Sequence, residues 1–429
     1  MRPLPVVGPP GHRVIRRADD RRATFAGVLV AAVFLALGAA SAGLTIAHGG
    51  GSAWPALHLV LAGAAGTAIA SVLPFFTATL AQVAPAARAI RIGAIALVAG
   101  GALAVTIGVS VPLTTLAVLG GCAYLGGLGL TAMAAFLPLR KRLGGRSGLV
   151  PAAYGIALMQ VAIGVSLATA MVAGWAPVVA NWASLKPAHA WLNVFGFLSV
   201  VVAATLLHLA PTVAGTRIRP RPSARLALFG LMAGAPLVAI GFATGSDSVA
   251  RIGAFIELTG SAALVFHAGA VQRDRGRWTS DQGWHRFAGL SLLAAPVWFL
   301  VATSIATWRI IESGATPGAW SVAAIGVPLV LGWTAQVIIG AWTQLVPAIG
   351  PGDQFAHAAQ RRRLGRLGTV RVLSWNGAVA LLTVGLLAEL DVVAALGAGV
   401  LGVCLVVALG LLASTVPRAV SKPVVVASR

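Results

Sequence analysis

Ser71-Val72-Leu73-Pro74, His208-Leu209-Ala210-Pro211 and Gln344-Leu345-Val346-Pro347 each close a long apolar run, with a polar side chain three residues before the proline. The prolines recur 137 residues apart (74 to 211) and then 136 residues apart (211 to 347). One long period in a chain of 429 residues reads as three copies of one unit, and an internal repeat fixes architecture more firmly than local propensity does. Each unit holds four apolar segments, so the chain reads as four helices three times over.

Composition fixes the solvent. The chain is 58% hydrophobic and 10% charged, with a mean hydropathy of +0.90. A chain largely dissolved in lipid needs little charge, whereas a soluble one of this length needs more. Spans of about 20 apolar residues are read at 24–47, 56–84, 90–111, 113–138, 150–174, 189–213, 224–245, 249–271, 286–310, 318–347, 370–390 and 392–415. They are numbered α1 to α12. The fold expected is an all-α polytopic membrane protein with twelve transmembrane helices in three pseudo-symmetric groups of four. It is one transmembrane domain with repeat units at about 24–138, 150–271 and 286–415.

The net charge of +21 would suit nucleic acid, but its distribution points elsewhere. Lys and Arg number 6 before α1, then 2, 4, 4, 4 and 5 in alternate loops, and 3 in the tail. Only Lys186, Arg251 and Arg309 fall on the other side. That alternation is the positive-inside rule and predicts a multi-pass protein of the cell membrane with both termini cytoplasmic. Arg140-Lys141-Arg142 and Arg361-Arg362-Arg363 are then topology anchors touching anionic head groups. The partner expected is the lipid bilayer, with no nucleic acid. The run at 24–47 is longer than a signal-peptide core and reads as a retained first helix. Cys122 and Cys404 have no partner at disulfide or zinc spacing and read as packing residues. Trp54, Trp175, Trp182, Trp191, Trp308 and Trp320 gather near outer helix ends, where most of them read as an aromatic belt.

Intramembrane polarity concentrates on α2, α6 and α10. Gln336, Gly340, Thr343 and Pro347 make one helical stripe, and His189, Asn193 and Gly196 make another. Such stripes should face the bundle interior, because a lipid-facing amide or imidazole is costly. His48, His58 and His189 lie toward outer helix ends and could together ligate a haem or a copper ion, or could instead bond to loop backbone and water. His208 lies 19 residues beyond His189, roughly 28 Å along a helix axis, so it cannot share their ion. With His267 it could clamp a b-type haem, or both could be unconnected core histidines. Glu257, in Ile252-Gly253-Ala254-Phe255-Ile256-Glu257-Leu258-Thr259, is the one acid well inside a span. It is read as a proton-path candidate or as a neutral carboxyl bonded to a neighbouring helix. The glycines Gly120-Gly121 and Gly126-Gly127-x-Gly129 are close-packing residues and not a phosphate cradle.

The pattern His189-x3-Asn193-x2-Gly196-Phe197, followed by His208-x2-Pro211, resembles the sixth helix of nitric-oxide-reductase-like members of the haem–copper oxidase subunit I family. His58 stands where that family has a haem ligand on its second helix. The resemblance implies twelve helices in three groups of four, with metal ligands on the second, sixth, seventh and tenth. This chain departs from it in having no histidine in 224–245 or 318–347. A catalytic copper needs about three nitrogen ligands, so a complete terminal oxidase or nitric-oxide reductase is disfavoured. What the resemblance leaves is a redox-associated component with one haem b or copper and a redox protein partner. The alternatives are a cofactor-free secondary transporter, against which the three-fold repeat argues, and a non-catalytic membrane assembly partner.

Overall fold

The computed structural model describes residues 10–48, 51–141, 148–275, 284–316, 325–350 and 353–415. Trp320, Arg142, Arg146 and Arg277, and the basic residues after Thr415, fall outside them.

Among the described residues every regular element is helical. Twelve helices are long and apolar enough to cross a membrane: α1 (Arg21–Ala47), α2 (Trp54–Ala81), α3 (Arg88–Ser110), α4 (Thr114–Arg140), α5 (Leu149–Val172), α6 (Trp182–Ala214), α7 (Pro222–Thr244), α8 (Asp247–Arg273), α9 (Arg286–Ser313), α10 (Val327–Ile349), α11 (Gly368–Leu387) and α12 (Asp391–Ala413). The protein is therefore an all-α polytopic membrane protein whose solvent is a bilayer.

The first helix runs from Pro10, well before the expected start at 24, and two further elements differ from the sequence reading. Helix α6 begins at Trp182, seven residues earlier than its hydropathy suggests, and its first turn places the Lys186 ammonium 5.8 Å from the centroid of the Trp182 ring. Gln354–Leu364, read as polar loop, is a short helix whose N-cap Asp353 accepts from the Ala356 N–H at 2.8 Å.

Burial sorts the helices. The most apolar stretches of α10 and α6 are 83% and 78% buried, against 17% for α12. Helices α6 and α10 therefore form the centre, while α12 turns Val392, Leu396, Val403 and Val406 toward lipid. The expected stripe is interior: Gln336, Gly340, Thr343 and Pro347 are all buried.

The three helices that carry the repeated prolines, α2, α6 and α10, share a second property. Each carries a π-helical segment in the half that precedes its proline: Leu59–Ala65 in α2, Leu192–Ser199 in α6 and Val327–Ala335 in α10. In the last two a hydroxyl follows the wider turn, Ser199 donating to the Val194 carbonyl at 3.0 Å and Thr334 to that of Leu329 at 2.9 Å. Segments of this kind are uncommon and collect at functional positions. Pro74, Pro211 and Pro347 sit inside the last turns of these helices and do not end them.

Helices α3–α4, α7–α8 and α11–α12 form tight hairpins on one recipe. A Cβ added at Gly108, Gly241 or Gly385 would lie 2.5 Å from the backbone nitrogen of Ala117, Ala250 or Ala394 respectively. Small residues let the backbones approach where lipid offers no hydrophobic drive to bring helices together.

Candidate functional site

The interior polar groups divide between the two ends of the bundle. Toward the end where the α1–α2 and α5–α6 connections lie, α2 supplies His58 and α6 supplies His189. Both are half-buried. The Nδ1–H of His58 donates to the Trp54 carbonyl one turn back at 2.9 Å, and the Trp54 ring stacks on the imidazole with centroids 3.8 Å apart. The Nδ1–H of His189 donates to the Gly164 carbonyl of α5 at 2.7 Å. A carbonyl only accepts, so the His58 proton resides on Nδ1 and its lone pair on Nε2.

The wall behind His189 is built from amides. Asn193, one turn along, brings its Nδ2 to 2.9 Å from Nδ1 and 3.5 Å from Nε2 of the imidazole, and its Oδ1 is buried without a partner. A Cβ at Gly164 would collide with the Asn193 amide, and one at Gly196 would collide with the Gln160 amide. Gln160 donates to the Met232 carbonyl of α7 at 3.4 Å and keeps Oε1 unpartnered. Both glycines are thus required by close approach of a polar side chain.

Two residues from His189, Trp191 is buried and donates its indole N–H to Glu257 Oε2 at 2.9 Å. The other oxygen, Oε1, is buried with no partner. The Trp191 ring stacks on Phe195 at 4.2 Å, and Phe195 meets Phe299 at 6.1 Å. Phe299 stacks on Trp333 at 4.9 Å, whose indole donates to Ser199 Oγ at 3.2 Å. An aromatic column from α6 through α9 to α10 therefore fills the centre. Below Glu257 on the same face of α8, the Ser261 and Thr303 hydroxyls bond at 2.7 Å and tie α8 to α9.

The remaining expected residues stand apart. His48 is exposed, with its ring donating to the Leu44 carbonyl at 2.8 Å. At the opposite end, buried His267 lies 3.4 Å from the Ser223 hydroxyl through Nδ1, and its Nε2 has no partner. His208 is half-buried with Nδ1 unpartnered. No hydrogen bond joins His208 to His267 among the described residues. Nor do three His, Cys, Asp or Glu side chains gather as a metal-ligating group there. Cys122 is exposed and Cys404 half-buried, both unpaired.

Trp191 is the residue that sequence reasoning placed wrongly. It is a core side chain and no part of an interfacial belt, which Trp175, Trp182 and Trp308 do populate as exposed rings. Its spacing of four from Phe195 was the available signal, because that spacing stacks rings along one helix face. Gln160 also went unread, although a lone amide in an apolar span is a signal of the same kind.

No known family matches this chain, and no curated protein matches it.

Proposed function

We propose that this chain is a redox-associated membrane protein built on the plan of haem–copper oxidase subunit I, with one haem or one copper held between His58 and His189. The observation that carries the reading is the pair of imidazoles on α2 and α6. Each has Nδ1 against a backbone carbonyl, and His58 keeps Nε2 as a lone pair while the Asn193 amide lies 3.5 Å from Nε2 of His189. A ring oriented through Nδ1 in this way is the usual second-shell preparation of a histidine ligand. This donor set fits two-nitrogen ligation. It does not fit a three-nitrogen copper centre, since no third donor gathers with the pair among the described residues. Bound there, the group would supply one-electron chemistry. The protein's own part is to orient the two rings, to crowd the site with Asn193 and Gln160, and to exclude water with the aromatic column.

The three-by-four plan draws support from the π segments of α2, α6 and α10, and from the Gly–Ala contacts of the three hairpins. The positive-inside distribution favours the cell membrane with both termini cytoplasmic.

A second reading, a proton-linked carrier without cofactor, is favoured by one observation: Glu257 is 2% exposed and has one oxygen without a donor. An intramembrane carboxyl of this kind commonly marks a proton relay.

The experiment is an optical spectrum and a copper determination on the detergent-purified protein, with His58→Ala and His189→Ala beside the wild type. A Soret band or about one copper per chain, lost in both variants, is the expected result. Neither signal in folded wild-type protein removes the redox reading and leaves the carrier.

A further inference from the structure

A surface groove of about 440 Å³ opens at the basic end of the bundle, where three separate segments converge. Arg286 comes from the start of α9, Arg362 from the short helix Gln354–Leu364, and Arg366 from the turn that leads into α11. All three side chains are exposed, and among the described residues none is paired with a carboxylate. Asp353, nine residues before Arg362, is engaged as the cap of the short helix.

The groove is braced from beneath. Arg371 is 9% exposed and donates Nη1 to the Leu364 carbonyl at 2.7 Å and to the Arg366 carbonyl at 3.4 Å. Those bonds pin the turn that carries Arg366. They also leave a fourth positive charge behind the groove with no carboxylate bonded to it among the described residues. Helix α11 starts at Gly368 after Leu367 in the left-handed conformation, φ 53°, so its first N–H groups add to the same positive field.

The groove also leads somewhere. Leu367, Val370 and Leu373 are 65%, 59% and 68% exposed and lie three residues apart along one face of α11, from the groove into the apolar depth. Phe355, on the short helix, is 74% exposed. The same short helix carries three successive arginines, Arg361, Arg362 and Arg363.

We propose that this groove binds the phosphate of an anionic phospholipid in the leaflet at the basic face, its acyl chains running along Leu367, Val370 and Leu373. Arginine suits phosphate because its planar fork donates in pairs. A soluble phosphate shares the head-group chemistry but has no use for the apolar strip, and the strip favours the lipid. This inference is independent of the His58–His189 reading.

The test uses the full chain in a neutral detergent. Phosphatidylglycerol, phosphatidylcholine and millimolar inorganic phosphate are titrated separately, followed by native mass spectrometry and by thermal unfolding. Phosphatidylglycerol should bind and stabilise the wild type, while phosphatidylcholine and inorganic phosphate do neither. The variant Arg286→Ala/Arg362→Ala/Arg366→Ala should bind phosphatidylglycerol about 100-fold more weakly, each arginine near a charged lipid surface being worth about fivefold. The variant Arg140→Ala/Arg217→Ala/Arg225→Ala removes equal charge at residues that do not line the groove and should bind within about threefold of wild type, since dispersed surface charges are screened by salt. If the groove triple fails to run as a single species on gel filtration, Arg366→Gln alone should still show about fivefold weakening. Equal weakening in both triples, or unchanged binding in the groove variants, overturns the site. Displacement of phosphatidylglycerol by inorganic phosphate overturns the lipid and reassigns the groove to a soluble anion.

Discussion

Trp191 and Glu257 are joined across the α6–α8 interface by an indole N–H donated to Oε2 at 2.9 Å, with both side chains buried. A carboxyl group in the middle of a membrane bundle is tolerated only where the bundle itself satisfies it. Here one donor does so, and it comes from the helix that also carries His189. Glu257 and the candidate ligand site are thus linked through two residues of α6 backbone.

Replacing Trp191 with Phe keeps a ring able to stack on Phe195 but removes the donor, so that neither oxygen of Glu257 has a partner. The expected loss is about 1–3 kcal/mol, the cost of stranding a buried polar group. Glu257→Gln should cost less, because its amide oxygen still accepts from the indole. The double variant Trp191→Phe/Glu257→Leu should recover part of the loss, as removing both partners is milder than removing one. Reversible unfolding in detergent gives the three numbers. A neutral Trp191→Phe would mean the bond contributes nothing.

The hairpin contacts make a sharper comparison. At Gly241 a Cβ would sit 2.5 Å from the Ala250 backbone nitrogen, whereas at Gly399 nothing lies within 4 Å. Gly241→Leu should therefore force α7 and α8 apart, at a cost of about 1–3 kcal/mol or more for overpacking, and lower the yield of folded protein. Gly399→Leu should be accepted on the lipid-facing side of α12. Yield and unfolding midpoint of the pair decide the matter, with Gly108→Leu and Gly385→Leu expected to follow Gly241.

All twelve spans are legible because hydrocarbon imposes long uninterrupted apolar runs. Gln336 and Glu257 are legible as interior because polarity inside such a run has no other place to go. The π segments are not legible. Leu59–Ala65 and Leu192–Ser199 have ordinary membrane-helix composition, and their extra residue per turn depends on what packs against them. A π segment also rotates what precedes it relative to the rest of its helix, so the direction in which α2 presents His58 is not legible either. The helix Gln354–Leu364 escapes hydropathy because it lies on the surface, although its Asp353 cap was there to be read.

That dependence on rotation can be measured. Deleting Leu61 from the π segment of α2 should restore regular α-helix and turn His58 by about 100° relative to the rest of α2. In a background of Cys122→Ala/Cys404→Ala, the pair His58→Cys/His189→Cys should be linked by a short bifunctional maleimide. The same pair carrying the Leu61 deletion should not. Linking that survives the deletion would show that the π segment does not set the position of residue 58.

Arg371 sits behind the basic groove, at the junction of three elements. Its guanidinium is buried, lies 4.0 Å from the centroid of the Phe287 ring, and holds the carbonyls of Leu364 and Arg366. It joins α9, α11 and the short helix through planar stacking and a fork of donors, neither of which an ammonium reproduces. Arg371→Lys should therefore behave as a true loss. Desolvated cation–π contacts are worth about 2 kcal/mol, and a hydrogen bond from a charged donor about 1.5–3 kcal/mol. Phe287→Leu should remove the stacking part alone and cost about 2 kcal/mol. Because the two changes break one shared contact, the double variant should be less destabilised than the sum of the singles, by an interaction energy of about 0.5–3 kcal/mol. Strict additivity in the double-mutant cycle would show that ring and guanidinium do not stabilise one another, and would leave the two carbonyls as the only anchor of Arg371.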